Sequence, residues 1–435
     1  MASQRKSAVS LFDNSSWAAT VALSLLVTLV AIVAAPAAQA QTFQVLYNFA
    51  NGQTGALPNG GLAIDGAGNL YGTTETGGDE SCQCGGVFML KRAGQGWVVK
   101  PLYNFTGYSS GFHTYATVVF GPDGNLYGTT AGGGQAACEC GTVFKLQPPP
   151  SACLTALCPW QETVLYSFAG GTEDGNYPGD PVVFDAAGNL YGTTQEGGIN
   201  NYNTPCFFDE QYSCGTAFKL TPSNGGWTES LIYRFMGEND GWHPYAGMSL
   251  DASGNLYATT YEGGAGGGGT IDQLSPSGSG WTENTLYSFS MTGAAGDSML
   301  NGVILDSAGN VYGATPYGAA GGVGAAFELT PSGSEWNFNL LYTFYPSGEA
   351  GPDGSLVMDN AGNLYGAAYS LGGDGLIFKL TPSNGNWIYS LLHQFDYNDG
   401  HGAQGPITLD AQGNLYGTTF GGGTHDWGTV WEITP

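Results

Sequence analysis

Apolar positions in this chain fall into short runs, and within many of them apolar and polar residues alternate. Clusters of Gly, Asn, Asp, Ser and Pro separate the runs, and helical spacing is nearly absent beyond the first forty residues. Alternation bounded by turn formers predicts strands joined by tight turns, and therefore an all-β fold. One run, Asn-Leu-Tyr-Gly-Thr-Thr at 69–74, returns along the chain with small changes. Its tyrosine falls at Tyr71, Tyr127, Tyr191, Tyr257, Tyr312, Tyr365 and Tyr416, in steps of 56, 64, 66, 55, 53 and 51 residues. Periods near fifty with several strands each predict propeller blades rather than solenoid coils.

Each repeat carries four strand-like pieces. The first ends in Asp, as in Gly-Leu-Ala-Ile-Asp at 61–65. The second is the tyrosine piece. The third resembles Gly-Thr-Val-Phe-Lys-Leu and carries Phe88, Phe144, Phe218, Phe327, Phe378 or Trp431; the fourth repeat has Asp272 there. The last piece starts at Trp97, Trp160, Trp227, Trp281, Trp336 or Trp387 and ends at Phe105, Phe168, Phe235, Phe289, Phe344 or Phe395. The seventh repeat stops after its third piece, whereas residues 45–49, Val-Leu-Tyr-Asn-Phe, form a spare fourth piece near the start. The expected fold is one seven-bladed β-propeller of four-stranded blades, spanning 41–435, with the N-terminal strand completing the last blade. Closure of this kind removes the exposed edge of an open array.

The link between the first two pieces reads Asp-x-x-Gly-Asn, with Asp65, Asp185, Asp251, Asp306, Asp359 and Asp410. In the second repeat Gly121 replaces the aspartate and Asp123 follows two residues later. Asp caps backbone N–H groups two or three residues on, and Gly supplies the left-handed residue of a bulged turn. Clustered Asp with Gly also resembles a calcium loop, but each loop offers too few oxygens for six to eight ligands. The motif is therefore read as scaffold, and no cofactor is expected. Leu and Tyr should face opposite sides of the blade, and Gly-Thr-Thr should let blades approach closely near the axis.

The tandem Asp-x-x-Gly-Asn-Leu-Tyr-Gly-Thr-Thr followed by Gly-Thr-Val-Phe-Lys-Leu-Thr-Pro resembles the GloVer-type (Gloeo/Verruco) tandem-repeat family of exported bacterial proteins, over roughly residues 43–435. The resemblance implies export and a repeat array. It implies no reaction and carries over no catalytic residue. Arrays of that family can be followed by a C-terminal sorting signal; none is legible before Pro435.

Export is also written at the N-terminus. Arg5 and Lys6 precede an apolar run from Trp17 to Ala35, and Ala38-Gln39-Ala40 fits a signal-peptidase site, so residues 1–40 read as a signal peptide. No other segment is apolar enough to span a membrane as a helix. The full chain carries a formal charge of −26, and removal of 1–40 makes it about −27. Such a surface repels phosphate backbones, which argues against nucleic acid. The expected location is secreted, periplasmic or cell-surface, and a monomer is expected.

All eight cysteines follow the signal segment, and an even count in an oxidising compartment suggests disulfides. Cys153 with Cys158, and Cys206 with Cys214, each flank an insertion. Cys82 and Cys84 share a repeat position with Cys138 and Cys140, which would allow a bridge between neighbouring repeats. Zinc fits less well, because its cysteine spacings are usually wider.

Loops after the second and fourth strands should share one face, and they are the long, variable ones, so function is expected there. Two of them match: Gly-Phe-His-Thr-Tyr holds His113 and Tyr115, and Gly-Trp-His-Pro-Tyr holds Trp242, His243 and Tyr245. His401 and Asp399 lie in the corresponding loop of the last repeat. Asp174, Asp240, Asp374, His425, Asp426 and Trp427 are placed on the same face. Aromatic rings stack on sugars and carboxylates accept hydroxyl hydrogens, so the set points to a glycan- or protein-binding module. The same residue types suit acid–base work, which leaves a polysaccharide lyase, glycosidase or lactonase as the alternative, and a purely structural envelope protein as another. Gly-Tyr-Ser-Ser-Gly at 107–111 lacks the strand-to-helix setting of a nucleophile elbow, and the glycines at 263–270 precede no helix that could hold a pyrophosphate.

Overall fold

The structure, a computed structural model, describes residues 41–434 apart from 95, 135–137, 150–159, 199–205, 207–213, 320–321, 346–350 and 370–373. The signal segment and the Cys153–Cys158 pair expected from the sequence lie outside the described residues. Each repeat folds into an antiparallel sheet whose strands pair in chain order. In the first blade these are Ala63–Ile64, Leu70–Thr74, Gly86–Ala93 and Gly96–Asn104. The seven four-stranded sheets form a β-propeller, and the sixth adds a short strand, Gly351–Pro352. The strand Thr42–Asn48 pairs with Thr429–Thr434, from Thr42 opposite Thr434 to Asn48 opposite Thr429, and so closes the ring.

The Asp-x-x-Gly-Asn turn is more fully bonded than its sequence suggests. Asp65 Oδ1 accepts the N–H groups of Ala67 and Asn69, both at 2.9 Å, two and four residues on. Its Oδ2 accepts from Asn69 Nδ2 at 2.7 Å and from the Tyr71 hydroxyl at 3.0 Å. The same four bonds recur at Asp185, Asp306, Asp359 and Asp410. In the second blade the displaced Asp123 still accepts from Tyr127 at 2.9 Å and gains Lys145 at 2.7 Å. The motif tyrosine thus packs its ring between blades while its hydroxyl returns to its own turn.

Gly-Thr-Thr divides its labour differently from the expectation. The glycine makes room within its own blade: a Cβ on Gly72 would lie 2.6 Å from the ring of Phe88, its partner on the third strand. The first threonine reaches the neighbour. Thr73, Thr129 and Thr259 donate to the carbonyls of Ala116, Asp180 and Asn301 at 2.9 Å, Thr193 donates to Ala246 at 3.1 Å, and Thr418 donates to Gly60 at 2.9 Å. Ala314 and Ala367 replace it in the fifth and sixth blades.

Blades are also glued by rings. The phenylalanine ending each fourth strand packs on the third-strand aromatic of the next blade: Phe49 on Phe88, Phe105 on Phe144, Phe168 on Phe218 and Phe344 on Phe378, at 4.9–5.1 Å between centroids. The joint between the third and fourth blades departs from this rule. There Asp272 replaces the aromatic, and Ala258 opposite it replaces the glycine. Asp272 is fully buried and accepts a hydrogen bond from Thr270. Burial, with Glu283 and Asp240 nearby, pushes its carboxyl well above the ordinary range.

Candidate functional site

The loops entering the first strand and leaving the second meet on one face, as expected. Short bridges join them in five blades, including Ala56 to Thr76, Phe112 to Gly132, Trp242 to Glu262 and His401 to Gly421. Eight residues before the turn aspartate, or its equivalent Gly121, the entering loop takes a left-handed conformation. Leu57, His113, Tyr177, His243 and Ser298 occupy that position, with φ between 54° and 64°. A side chain held there costs about 1–3 kcal/mol, so the surroundings must fix it. Two backbone bonds do so. The N–H groups of His113, Tyr177 and His243 donate to the carbonyls of Cys84, Cys140 and Cys214 in the preceding blade, at 3.0–3.2 Å. Their own carbonyls accept from Ala131, Gln195 and Tyr261.

The cysteines therefore brace these loops. Cys206 pairs with Cys214, as the sequence suggested. The expected bridge between repeats is not formed: Cys82 pairs with Cys84 and Cys138 with Cys140. Each Cys-x-Cys closes on itself because its middle residue, Gln83 or Glu139, is left-handed and folds the loop back.

Inside these loops lies a cavity of about 760 Å³ to which every blade contributes. Six residues before the turn aspartate, or Gly121 in the second blade, each blade presents one lining residue, and these seven are unlike one another: Asn59, Tyr115, Gly179, Tyr245, Leu300, Asp353 and Gln404. The next position is small in five blades and polar in two, where Asp180 and Asn301 stand. The cavity thus has an aromatic side on the second to fourth blades and a polar side on the sixth, seventh and first.

On the aromatic side His113 stacks on Tyr115, and Tyr115 stacks on Tyr177, with centroids 6.0 and 6.3 Å apart. Tyr245 lies edge-on to His243 and to Tyr261, at 5.9 and 5.3 Å. Carboxylates thread between the rings. Glu75 Oε1 is 3.9 Å from His113 Nδ1, and Glu196 accepts from Asn176 Nδ2 at 2.7 Å. Burial raises the tyrosine ionisation of Tyr245, with Glu196, Tyr261, Tyr177 and Glu262 adding to it. Burial also raises the carboxyls of Glu75, Glu196 and Glu262, and carries Asp353 to about 6 and Asp180 to about 7. His243 is pushed down by burial, which favours a neutral ring.

Of the residues singled out in the sequence, Tyr115 and Tyr245 line this cavity, and His113, Trp242 and His243 pack behind them. The others stand elsewhere. Asp174 is buried and accepts from Tyr166, Ala169 and Gly175 at 2.7–2.9 Å, and Asp240 accepts from Tyr233 at 2.7 Å and Met236 at 2.8 Å. Asp399 holds His393 at 3.0 Å. These aspartates brace their own loops. His401 contacts Asp374 at 3.3 Å, one residue out of register with His113 and His243. His425, Asp426 and Trp427 form an exposed loop on the seventh blade and do not line the cavity. Sequence reasoning missed Tyr177, Tyr261, Asp180, Asp353, Glu196 and Glu262. Counting back from each turn aspartate would have found Tyr177, Asp180 and Asp353.

A model of the Gloeobacter/Verrucomicrobia repeat matches residues 32–206 and 206–431. The chain belongs to that repeat family. Members of it are thus compatible with a complete seven-bladed ring, as this chain shows. No curated protein sequence matches the chain. Among solved structures it is similar to a polysaccharide lyase of family 25, an ulvan lyase, with 13% identity, TM-score 0.52, and coverage of 90% of this chain and 95% of that one. A gluconolactonase from Xanthomonas campestris gives 11% identity, TM-score 0.41, and coverage of 91% and 89%. A protein of unknown function from Dyadobacter fermentans gives 12% identity, TM-score 0.42, and coverage of 91% and 100%. At such identities the likeness concerns the fold alone.

Proposed function

We propose that this protein is an exported glycan-binding module whose site is the cavity mouth on the variable-loop face. One observation carries the reading: half-buried tyrosines on one side of a concave cavity face Asn59, Asp353 and Gln404 on the other. Aromatic rings bind the apolar faces of sugar rings, and amides and carboxylates take their hydroxyls. A concave site favours an oligosaccharide over a protein surface, which would need a broader, flatter patch. Calorimetric titration with a panel of oligosaccharides tests it. Binding is expected, and Tyr115→Ala and Tyr245→Ala should each weaken it at least about ten-fold, the loss of one stacked ring. Trp427→Ala, away from the cavity, should leave it unchanged. Binding that survives both tyrosine changes would refute the assignment. Export is tested by sequencing the N-terminus of the mature protein, expected at Gln41.

A second reading follows from Asp180 and Asp353, which line the same cavity and whose carboxyls burial pushes up to about 7 and about 6. An acid in that range can hand a proton to a bound sugar near neutrality. New reducing ends or unsaturated ends released from an oligosaccharide, and lost in Asp353→Asn, would favour an enzyme over a binder.

A further inference from the structure

The charges around the cavity are of one sign. After residue 40 the basic residues are Lys91, Arg92, Lys100, Lys145, Lys219, Arg234 and Lys379, and none lines the cavity. Lys145, Lys219 and Lys379 lie over Tyr127, Tyr191 and Tyr365, at 5.6, 5.5 and 5.3 Å from the ring centroids, beside the turn motif. Arg92 sits on Trp97, and Arg234 reaches Glu173. The cavity itself receives Asp180, Glu196 and Asp353, with Glu75 and Glu262 joined electrostatically to its tyrosines Tyr115 and Tyr245. Among the described residues no lysine or arginine offsets them there.

We infer that the ligand is an amino sugar: an oligosaccharide carrying free ammonium groups, held with the ammonium between Tyr115, Tyr177 and Tyr245 and the neighbouring carboxylates. This rests on the glycan reading above and narrows it. Tyrosine faces attract an ammonium, more so when the site is half desolvated, and an adjacent carboxylate completes the pairing. The same carboxylates repel uronic acids and sulfated sugars, so the site selects by repulsion as well as attraction.

The test compares three probes at pH 7: a β-1,4-glucosamine oligomer, its fully N-acetylated counterpart and an oligogalacturonate of equal length. Affinity for the glucosamine oligomer is expected to exceed that for the acetylated one by at least about ten-fold, the size of one partly desolvated cation–π and carboxylate contact. The oligogalacturonate should not bind. The advantage should shrink as ionic strength rises and should fall in Glu262→Gln and Glu196→Gln. Equal affinity for the amine and acetylated oligomers, or binding of the oligogalacturonate, overturns the inference while leaving a glycan site in place. Failure of all three probes, and of the neutral panel above, overturns both.

Discussion

At the scale of the residue, the repeated aspartate does the work of a small network. Burial alone would raise the carboxyls of Asp65, Asp185, Asp306 and Asp359. The hydrogen bonds from the following Asn and Tyr and from the backbone outweigh it and hold them below the ordinary carboxylate value. Asp359→Ala leaves Asn363 and Tyr365 without their acceptor, so a loss of about 1–3 kcal/mol is expected in chemical denaturation, with Asp359→Asn in between. A second residue-scale prediction concerns the odd joint. Asp272→Phe alone restores the ring but meets the Ala258 methyl, because the equivalent Gly366 has no room for a Cβ, with the Phe378 ring 2.5 Å from where one would sit. The single change should destabilise, and Ala258→Gly with Asp272→Phe should recover stability to the wild-type level or above it. A denaturation double-mutant cycle reads the coupling directly.

At the scale of the element, the loops of the variable face are latched blade to blade. The Cys-x-Cys loops deliver the carbonyls that hold the backbone of His113 and Tyr177. Replacing Cys82 and Cys84 by serine frees that loop without touching a strand. Amide exchange at His113 should then accelerate, while the amides of Leu70–Thr74 keep their protection. If both segments responded alike, the disulfide would be supporting the blade rather than the rim. The N-terminal strand is the other decisive element. Phe49 is fully buried between the last and first blades, packed on Phe88 and Tyr47. Phe49→Ala should cost about 3–5 kcal/mol, as for a large buried ring elsewhere.

At the scale of the whole molecule, two sets of carboxyls oppose each other. Glu162, Glu229 and Asp180 are raised to about 7 and Asp353 to about 6, chiefly by burial. A raised carboxyl binds more protons in the folded state than in the unfolded one, whose value is about 4, so its contribution is full below about pH 4 and is lost as pH rises through the folded value. The turn aspartates are lowered. Their contribution is present above about pH 4 and is lost as pH falls through their folded values. The formal charge of −26 adds self-repulsion at neutral pH. The melting temperature is therefore expected to rise as pH falls from about 8 to about 5 and to drop again below about 3.5. A melting temperature that only falls on acidification would show that the buried carboxyls do not titrate in that range.

The sequence by itself determined the ring. Seven copies of one turn, each a local network within a few residues, and a spare fourth strand at the start are enough to specify blade number, strand order and closure. Local chemistry of this kind is visible in a single chain because its partners are close in sequence. Half of the rim pairings were legible for the same reason, since His113 with Tyr115 and His243 with Tyr245 sit two residues apart. What only the tertiary structure decided is the cavity. Its lining comes from matching positions in all seven repeats, placed together by a rotation that no local pattern encodes, and six residues before each turn aspartate, or Gly121, the residues differ rather than repeat. It also decided which acids are free to meet a ligand. Asp174 and Asp240 looked like rim carboxylates but turn inward to cap their own loops, whereas Asp353, unremarked in its repeat, faces the axis. The direction of a side chain on a loop depends on which neighbouring blade supplies its hydrogen-bond partner, and that is a property of the closed ring.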